Sequence, residues 1–248
     1  DSYHDNRIKY ILNNSSKGPG GARNSGMARA RGEWITFLDD DDVWLPQKLE
    51  LQYKKINELD DSVGLIYTGY AVYDFDNKCE LSLNIPEKDG WIQNDLLYKN
   101  YIGTFSTVVI RSDIIRKVDG LDERFESMQD MELYVRIAGI SAIVLINETH
   151  AYIRNSNEDR ISVNFHKKLN SSLLFREKYK KLINKNLRLR HRVASIVFNF
   201  ALKQKNWFIM LKVLPWTLLG LFFDMKNFLQ TMWGVLHFIF RNKAIKPQ

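Results

Sequence analysis

The sequence predicts an α/β domain with a largely parallel sheet, followed by a helical region. Up to about residue 160, short runs rich in β-branched and aromatic residues alternate with helical patterns, and beyond that point the pattern is helical throughout. The charge changes at the same place. Residues 161–248 hold 17 Lys and Arg against Glu177 and Asp224, whereas residues 1–160 hold 27 acidic and 19 basic residues. We therefore expect two domains, 1–160 and 161–248, with different roles.

The elements of the first domain are expected in alternating order. Strands are predicted at 8–12, 34–38, 63–73, 105–110, 142–146 and 151–154. Helices are predicted at 22–31, from Pro46 onward, from Ser112 to Gly120, and at 129–138. Pro46 suits a first helical turn, where its missing N–H costs no hydrogen bond. The helix after it places Leu49, Tyr53 and Ile56 on one apolar face.

Composition excludes several classes of protein. The chain has 248 residues, 45% apolar and 26% charged, which is close to the globular average and argues against a disordered or polytopic membrane protein. Its single cysteine, Cys79, excludes an intramolecular disulfide framework and favours a reducing compartment. Because the first five residues contain no apolar run, no signal peptide is expected.

Four consecutive aspartates at positions 39–42 are the strongest chemical signal, because they directly follow the predicted strand 34–38. Ligands bind at the ends of strands in open α/β sheets. Alternation along an extended chain would put Asp39 and Asp41 on one face and Asp40 and Asp42 on the other. Two carboxylates there suit Mg²⁺ or Mn²⁺ shared with substrate phosphates. The alternative is a solvated acidic loop that precedes the helix at Pro46.

Two further features are ambiguous when taken alone. The glycine-rich turn at 18–21 leads into a helix whose N–H groups would favour an anion, but it is neither a GxGxxG motif nor a P-loop. Ser127 and Asp130 have the spacing of a capping box. Asp130 also shares a helix face with Leu133, Tyr134 and Ile137, where a carboxylate suggests catalysis rather than capping.

Together these segments resemble the family 2 glycosyltransferases. The resemblance rests on GARNSG at 21–26, GEWITFLDDDDVWLP at 32–46, KLE at 48–50, GLDE at 120–123 and QDMELYVR at 129–136. Their order and spacing agree over about residues 7–160. The resemblance implies a GT-A fold and inverting transfer of a sugar from a nucleotide diphosphate donor, expected to be a UDP-sugar, to a hydroxyl of a glycan or lipid-linked acceptor. Such a reaction serves cell-surface polysaccharide or glycolipid synthesis.

The same resemblance implies roles for individual residues. Asp39 and Asp41 would form the DxD element. Asp41 would hold Mg²⁺ or Mn²⁺ on the diphosphate. Asp39 would contribute to the metal site and lie near the ribose. Asp130 takes the place of the general base. The remaining nucleotide-sugar-binding positions would be Arg23, Asn24, Asp40 and Arg154, the last within a late Tyr152–Arg154 element.

Three departures from the family pattern are visible. The chain starts beyond the strand–helix–strand unit that opens the family's domain, so the nucleotide pocket is expected to be incomplete. Gln129 replaces the usual glutamate before the base, and Ser156 replaces a histidine that often follows the late arginine. The first departure bears on activity, and the other two bear on the assignment of the site.

Two other functions compete with a transferase. A non-catalytic protein would use the basic helices to bind membrane or nucleic acid, but no zinc-finger, RNP-type or helix-turn-helix signature is present, so nucleic acid is not expected as a partner. A metal-dependent phosphatase could use Asp39 and Asp41, but its nucleophile signature is missing.

The apolar segment 207–223 bears on location. Its 17 residues, interrupted by Pro215, are fewer than the roughly 20 that span a bilayer. A basic segment followed by aromatic helices suits a helix pair on an anionic leaflet, and the alternative is a packed subdomain covering the sheet. We expect a cytoplasmic protein at the inner face of the cell membrane.

Overall fold

The computed structural model describes residues 5–12, 18–155 and 164–243. Its strands are β1 Trp34–Thr36, β2 Val43–Trp44, β3 Val63–Asp74, β4 Cys79–Asn84, β5 Val108–Arg111 and β6 Ala142–Arg154. The helices before residue 160 are α1 Pro19–Arg29, α2 Lys48–Ile56, α3 Gln93–Tyr98, α4 Ser112–Lys117 and α5 Gln129–Ile137. Those after it are α6 Phe165–Lys178, α7 Lys180–Ile183, α8 Leu187–Lys203, α9 Trp207–Leu218, α10 Gly220–Phe223 and α11 Met225–Lys243. A 3₁₀ turn, Phe105–Thr107, leads into β5.

The sheet is mixed, with the order β1-β5-β3-β6-β2 and with β4 attached to β3. Among the described strands only β3 and β6 pair in parallel, and the other four pairings are antiparallel. The α/β class is therefore confirmed, but the expectation of a largely parallel sheet is wrong. A hairpin joins β3 to β4, and β5 then enters between β1 and β3 in the opposite direction, so alternating helices do not imply parallel crossovers here.

The main core lies under the sheet and extends into the helical region. Leu65, Tyr67 and Ile110 from the sheet pack with α3, α4 and α5, and the same cluster includes Phe175 from α6 and Val193 from α8. A second cluster joins α6, α8 and α9 around residues 194–213. The predicted domain boundary near residue 160 lies outside the described residues, and the division into two domains stays a prediction.

Two local predictions fail for physical reasons. Residues 8–12 form no strand and leave Tyr10 exposed, since no strand in the described part of the chain pairs with them. In α2, Leu49 and Tyr53 face solvent, whereas Lys48 and Gln52 are buried. The apolar spacing identified the helix but pointed to the wrong face, because the polar groups of Lys48 and Gln52 find partners inside.

The helical prediction for the C-terminal region is confirmed over residues 165–243, in six helices with short breaks. Pro215 lies inside α9 rather than ending it. Among the described residues, no helix combines the length and the apolar character needed to cross a bilayer. Ser112 begins α4 without capping it, because the residue at the cap position is Arg111.

Candidate functional site

The site forms where the first turns of α1 and α5 meet. Helix α1 begins at Pro19, three residues earlier than predicted, after Gly18 in the left-handed region at φ 90°. A Cβ on Gly20 would lie 2.9 Å from the Gln129 side-chain nitrogen at the start of α5. A side chain at position 20 would require the Gln129 amide to move, so glycine there favours the close approach of the two helix N-termini.

An ion pair links α1 to the turn after β1. The Arg23 guanidinium lies 2.5 Å from Asp39 Oδ1, and both side chains are half-buried. The guanidinium also lies over the Phe105 ring, 4.4 Å from its centroid. Arg23 therefore has a fixed position between the aspartate turn and the 3₁₀ turn, as an arginine held by stacking and a charge partner does.

The four aspartates form a turn rather than an extension of β1. The Asp42 N–H donates to the Asp39 carbonyl at 3.1 Å. Ser106 connects both ends of the turn, because its Oγ accepts from the Asp39 N–H at 3.1 Å and donates to Asp42 Oδ2 at 2.7 Å. The alternation that would pair Asp39 with Asp41 on one face does not apply to such a turn. Ser106 carried no sequence signal, and only the fold reveals it.

The buried member of the turn is Asp42, which also accepts the Arg154 N–H at 3.3 Å. Burial raises the pKa of Asp42 to about 6, and the charges of Asp41 and Asp39 add to this rise against the opposing hydrogen bond from Ser106. Asp40 is exposed and Asp41 is half-buried. Negative charge is thus concentrated at the carboxyl end of β1.

The chemistry of the aspartate turn fits a divalent cation whose remaining ligands come from the substrate. The described residues contain no group of three or more His, Cys, Asp or Glu arranged around a metal. Mg²⁺ is commonly held by one or two carboxylates together with substrate phosphates. Asp41 supplies such a carboxylate, half-buried in the turn, and Asp39 is paired with Arg23.

Asp130 occupies the first turn of α5, but not as part of a capping box. The cap residue is Met128, in the left-handed region at φ 62°, and Ser127 makes no side-chain cap. Asp130 Oδ1 instead accepts the Met131 N–H at 2.7 Å, and Oδ2 accepts from Asn100 at 3.3 Å. Burial raises the pKa of Asp130, while the Met131 N–H and the positive charge of Arg23 oppose that rise.

Two tyrosines that were not predicted as site residues surround Asp130. Burial, followed by the charge of Asp130, raises the pKa of both Tyr70 and Tyr134. The Tyr134 hydroxyl is fully buried and has no hydrogen-bond partner among the described residues. An unpaired buried hydroxyl is costly, so Tyr134 is an unusual feature beside Asp130. Tyr134 appeared in the sequence only as part of an apolar stripe.

Other predicted residues lie at different distances from this centre. Asn24 binds a loop: its Oδ1 accepts the Leu121 N–H at 2.8 Å, and its Nδ2 donates to the Leu121 carbonyl and to Glu123. Arg154 stacks over Phe75 at 4.3 Å, and its backbone reaches Asp42. The departure at Ser156 falls outside the described residues. The structure therefore connects Arg23, Asp39 and Asp130 electrostatically, while the amide of Asn24 is engaged by the loop.

A buried lysine supports the aspartate turn from behind. Lys48 is fully buried, lies 4.5 Å from the centroid of the Trp44 ring and donates to Gln52 Oε1 at 2.9 Å. Trp44 and Gln52 in turn donate to the carbonyls of Ser106 and Thr107. Burial lowers the pKa of Lys48 to about 7. These side chains hold the 3₁₀ turn that carries Ser106.

Several known proteins are similar to this chain. The sequence model of Glycosyl transferase family 2 matches residues 1–118. The chain is 34% identical over 110 residues, 44% of its length and 42% of the relative, to the UDP-Glc:alpha-D-GlcNAc-diphosphoundecaprenol beta-1,3-glucosyltransferase WfgD of Escherichia coli. It is 51% identical over 55 residues, 22% of its length and 18% of the relative, to the GalNAc(5)-diNAcBac-PP-undecaprenol beta-1,3-glucosyltransferase of Campylobacter jejuni. Residues 1–349 of TarS from S. aureus align with a TM-score of 0.43 at 16% identity, covering 79% of this chain and 68% of that one.

Residues 1–118 match the Glycosyl transferase family 2 model, and the relatives at this similarity are named as glycosyltransferases. These matches confirm the resemblance seen in the sequence. The chain spans about half the length of the curated relatives it matches.

Proposed function

We propose that the chain transfers a sugar from a nucleotide-diphosphate sugar, specifically a UDP-sugar, to a hydroxyl of a lipid-linked glycan. The observation that carries the proposal is the juxtaposition of Asp130 with Arg23, Asp39 and the unpartnered Tyr134 hydroxyl. Two relatives whose names specify diphosphoundecaprenol acceptors support the acceptor class. The reaction would serve polysaccharide synthesis at the cytoplasmic face of the membrane.

In this proposal Asp130 is the general base. An acceptor hydroxyl is a poor nucleophile at neutral pH, and a positioned carboxylate that takes its proton accelerates attack by about 10²–10⁴-fold. Burial raises the pKa of Asp130, which would make its carboxylate a better proton acceptor, while the Met131 N–H and the charge of Arg23 oppose that rise. Direct attack by the activated hydroxyl, without a covalent intermediate, inverts the configuration at the anomeric carbon.

The aspartate turn would bind the leaving diphosphate side of the donor. Asp41 would hold Mg²⁺ or Mn²⁺, which supplies Lewis-acid stabilisation to the charge that develops on the diphosphate. Asp39, fixed by Arg23, would lie on the ribose side, and Asp40 and Arg154 would flank it. Asn24 would act indirectly here, because its amide holds the Leu121 loop.

The test is transfer by the full chain from UDP-sugars to a polyprenyl-diphosphate-linked sugar, with the anomeric configuration of the product read by NMR. Asp130→Asn should reduce turnover by about 10²–10⁴-fold. Donor affinity should hold, and the free energy of unfolding should fall by at most about 0.5–2 kcal/mol from the weakened bond to Met131.

Asp113→Asn is the matched control, since Asp113 also lies in the first turn of a helix, α4, where its partners are Arg111 and Lys117 rather than residues of the site. It should leave turnover unchanged. A folded Asp130→Asn protein that retains full turnover would remove Asp130 from the mechanism. A product that retains the anomeric configuration would exclude direct displacement.

A non-catalytic role for the same chain has less support. Glu132, two residues after Asp130 on α5, is bound by Arg136, Lys178 and Tyr179, so it contributes to the core and not to an open site. By contrast, the half-buried Asp39 has Arg23 as its ion-pair partner, and the half-buried Asp130 accepts hydrogen bonds from Met131 and Asn100. A binding module has no evident use for a half-buried carboxylate beside an unsatisfied tyrosine.

A further inference from the structure

Helices α9, α10 and α11 expose an unusual number of large apolar side chains. Trp207 is 62% exposed, Phe222 80% and Trp233 71%. The α9–α11 face is defined by these three and by the other exposed apolar residues of the segment: Phe208, Leu211, Leu218, Met225 and Leu229. Single exposed apolar residues are ordinary, but a series of eight within 27 residues marks a surface that contacts something apolar.

These helices are nonetheless folded against the rest of the protein. Both α9 and α11 pack on α8. In α9, Met210, Val213 and Thr217 are buried, and in α11 Phe228 and Thr231 are buried. Met225, Leu229 and Trp233 are four residues apart and form one stripe along α11. Helices α9 and α11 therefore each have one packed side and one side with exposed apolar residues, so these exposed residues of the α9–α11 face are held in place by the core beneath them.

Positive charge surrounds the apolar residues. Lys203, Lys205, Lys212 and Lys226 are all exposed, and Lys212 Nζ lies 4.5 Å from the centroid of the Phe208 ring. Asp224 is the single acidic residue between 203 and 233, and the Tyr98 hydroxyl donates to it. A lysine can lay its methylene groups on apolar surface while its ammonium stays in water, and this arrangement is favoured at a boundary between water and hydrocarbon.

We propose that the α9–α11 face docks in the plane of a lipid leaflet that carries anionic headgroups. Tryptophan is enriched at this boundary, and flanking lysines add attraction to anionic lipid. A second copy of the chain fits less well, because a symmetric contact would oppose the same lysines across the interface. The docked face would hold the transferase domain beside the membrane, independently of which sugar it transfers.

The test is flotation of the full chain with phosphatidylcholine vesicles, with and without phosphatidylglycerol, at low and high salt, without donor or acceptor. Wild type should float with the anionic vesicles at low salt and dissociate at high salt. Combining Phe222→Glu with Trp233→Glu should weaken binding by at least about tenfold. Lys212→Gln and Lys226→Gln should each weaken it about fivefold. Trp91→Glu replaces an equally exposed tryptophan outside the face, 65% exposed, and should float like wild type.

Circular dichroism melting confirms that each variant is folded, and gel filtration reports the oligomeric state. Absence of wild-type binding to anionic vesicles would overturn the proposal. Equal loss of binding in Trp91→Glu and in the double variant would do the same. A wild-type dimer that the double variant converts to a monomer, without any lipid binding, would assign the face to a second copy. Because no substrate is present, these outcomes are independent of the proposed transferase activity.

Discussion

The buried carboxyl of Asp42 should make the stability of this protein depend on pH in a defined direction. Burial raises the pKa of Asp42 from 3.8 to about 6 in the folded chain. Between these values the folded state binds more protons than the unfolded state, so the free energy of unfolding falls as pH rises. Two pKa units at about 1.4 kcal/mol each put the loss at about 3 kcal/mol, complete above pH 6.

Asp42→Asn removes this dependence because an amide does not titrate. The variant loses one acceptor, for Ser106 or Arg154, and that cost is the same at every pH. The free energy of unfolding of the variant minus that of wild type should therefore rise by about 2.5 kcal/mol between pH 4 and pH 7. Urea denaturation of both proteins at several pH values measures it.

Asp40→Asn is the control, because it removes an exposed carboxyl from the same turn and reports the effect of the turn's charge alone. A difference between wild type and Asp42→Asn that stays flat with pH would refute the reasoning. A difference that falls as pH rises would mean that the carboxylate is stabilised, not strained, by its surroundings.

Three further outcomes are expected. Asp41→Ala should abolish the part of UDP binding that depends on Mg²⁺ or Mn²⁺, as measured by calorimetry with and without a chelator. Equal UDP affinity of the wild type in both conditions would contradict this. Lys48→Met removes a buried ammonium whose pKa is lowered to about 7 in the folded chain. Above pH 7 the unfolded wild type binds one more proton than the folded wild type, so its free energy of unfolding rises with pH. Relative to the variant, the wild type should therefore gain about 1.4 kcal/mol per pH unit between pH 7 and pH 9. Parallel pH profiles from denaturation would refute the assignment. Asn24→Ala should cost about 1–3 kcal/mol by leaving the Leu121 backbone unpaired, while UDP affinity, measured on the folded fraction, stays near wild type. A large loss of affinity without a change in melting temperature would place Asn24 at the nucleotide instead.

The elements of the fold could largely be predicted from patterns of residues, but their directions could not. The β-branched run at 63–73 and the amphipathic run at 129–138 both appear where expected, as β3 and α5. The direction of β5 depends on the path of the chain through the hairpin, and no residue in Val108–Arg111 encodes it. Strand direction is a property of connections, which local periodicity does not report.

The candidate site shows the same division. Asp39, Asp41 and Asp130 were identified because carboxylates in those contexts are unusual, and their assigned roles stay predictions. Ser106 and Tyr134 have ordinary sequence surroundings and became visible only through hydrogen bonding and burial. Helix α2 shows why residue polarity can mislead. Lys48 is buried because its ammonium lies over the Trp44 ring and donates to Gln52, and the spacing of residues along the helix does not reveal these contacts.

The pairing of the strands also constrains when the chain can fold during synthesis. β2 at Val43–Trp44 pairs with Tyr152 and Ala151, and the central strand β3 pairs along most of its length with β6. The emerging N-terminal region therefore waits for more than a hundred further residues before its strands find their partners. Until β6 leaves the ribosome, β3 exposes an apolar edge that favours aggregation, and chaperones would have to protect it. A nascent chain stalled before residue 142 should remain protease-sensitive, even though it already carries the aspartate turn and Asp130.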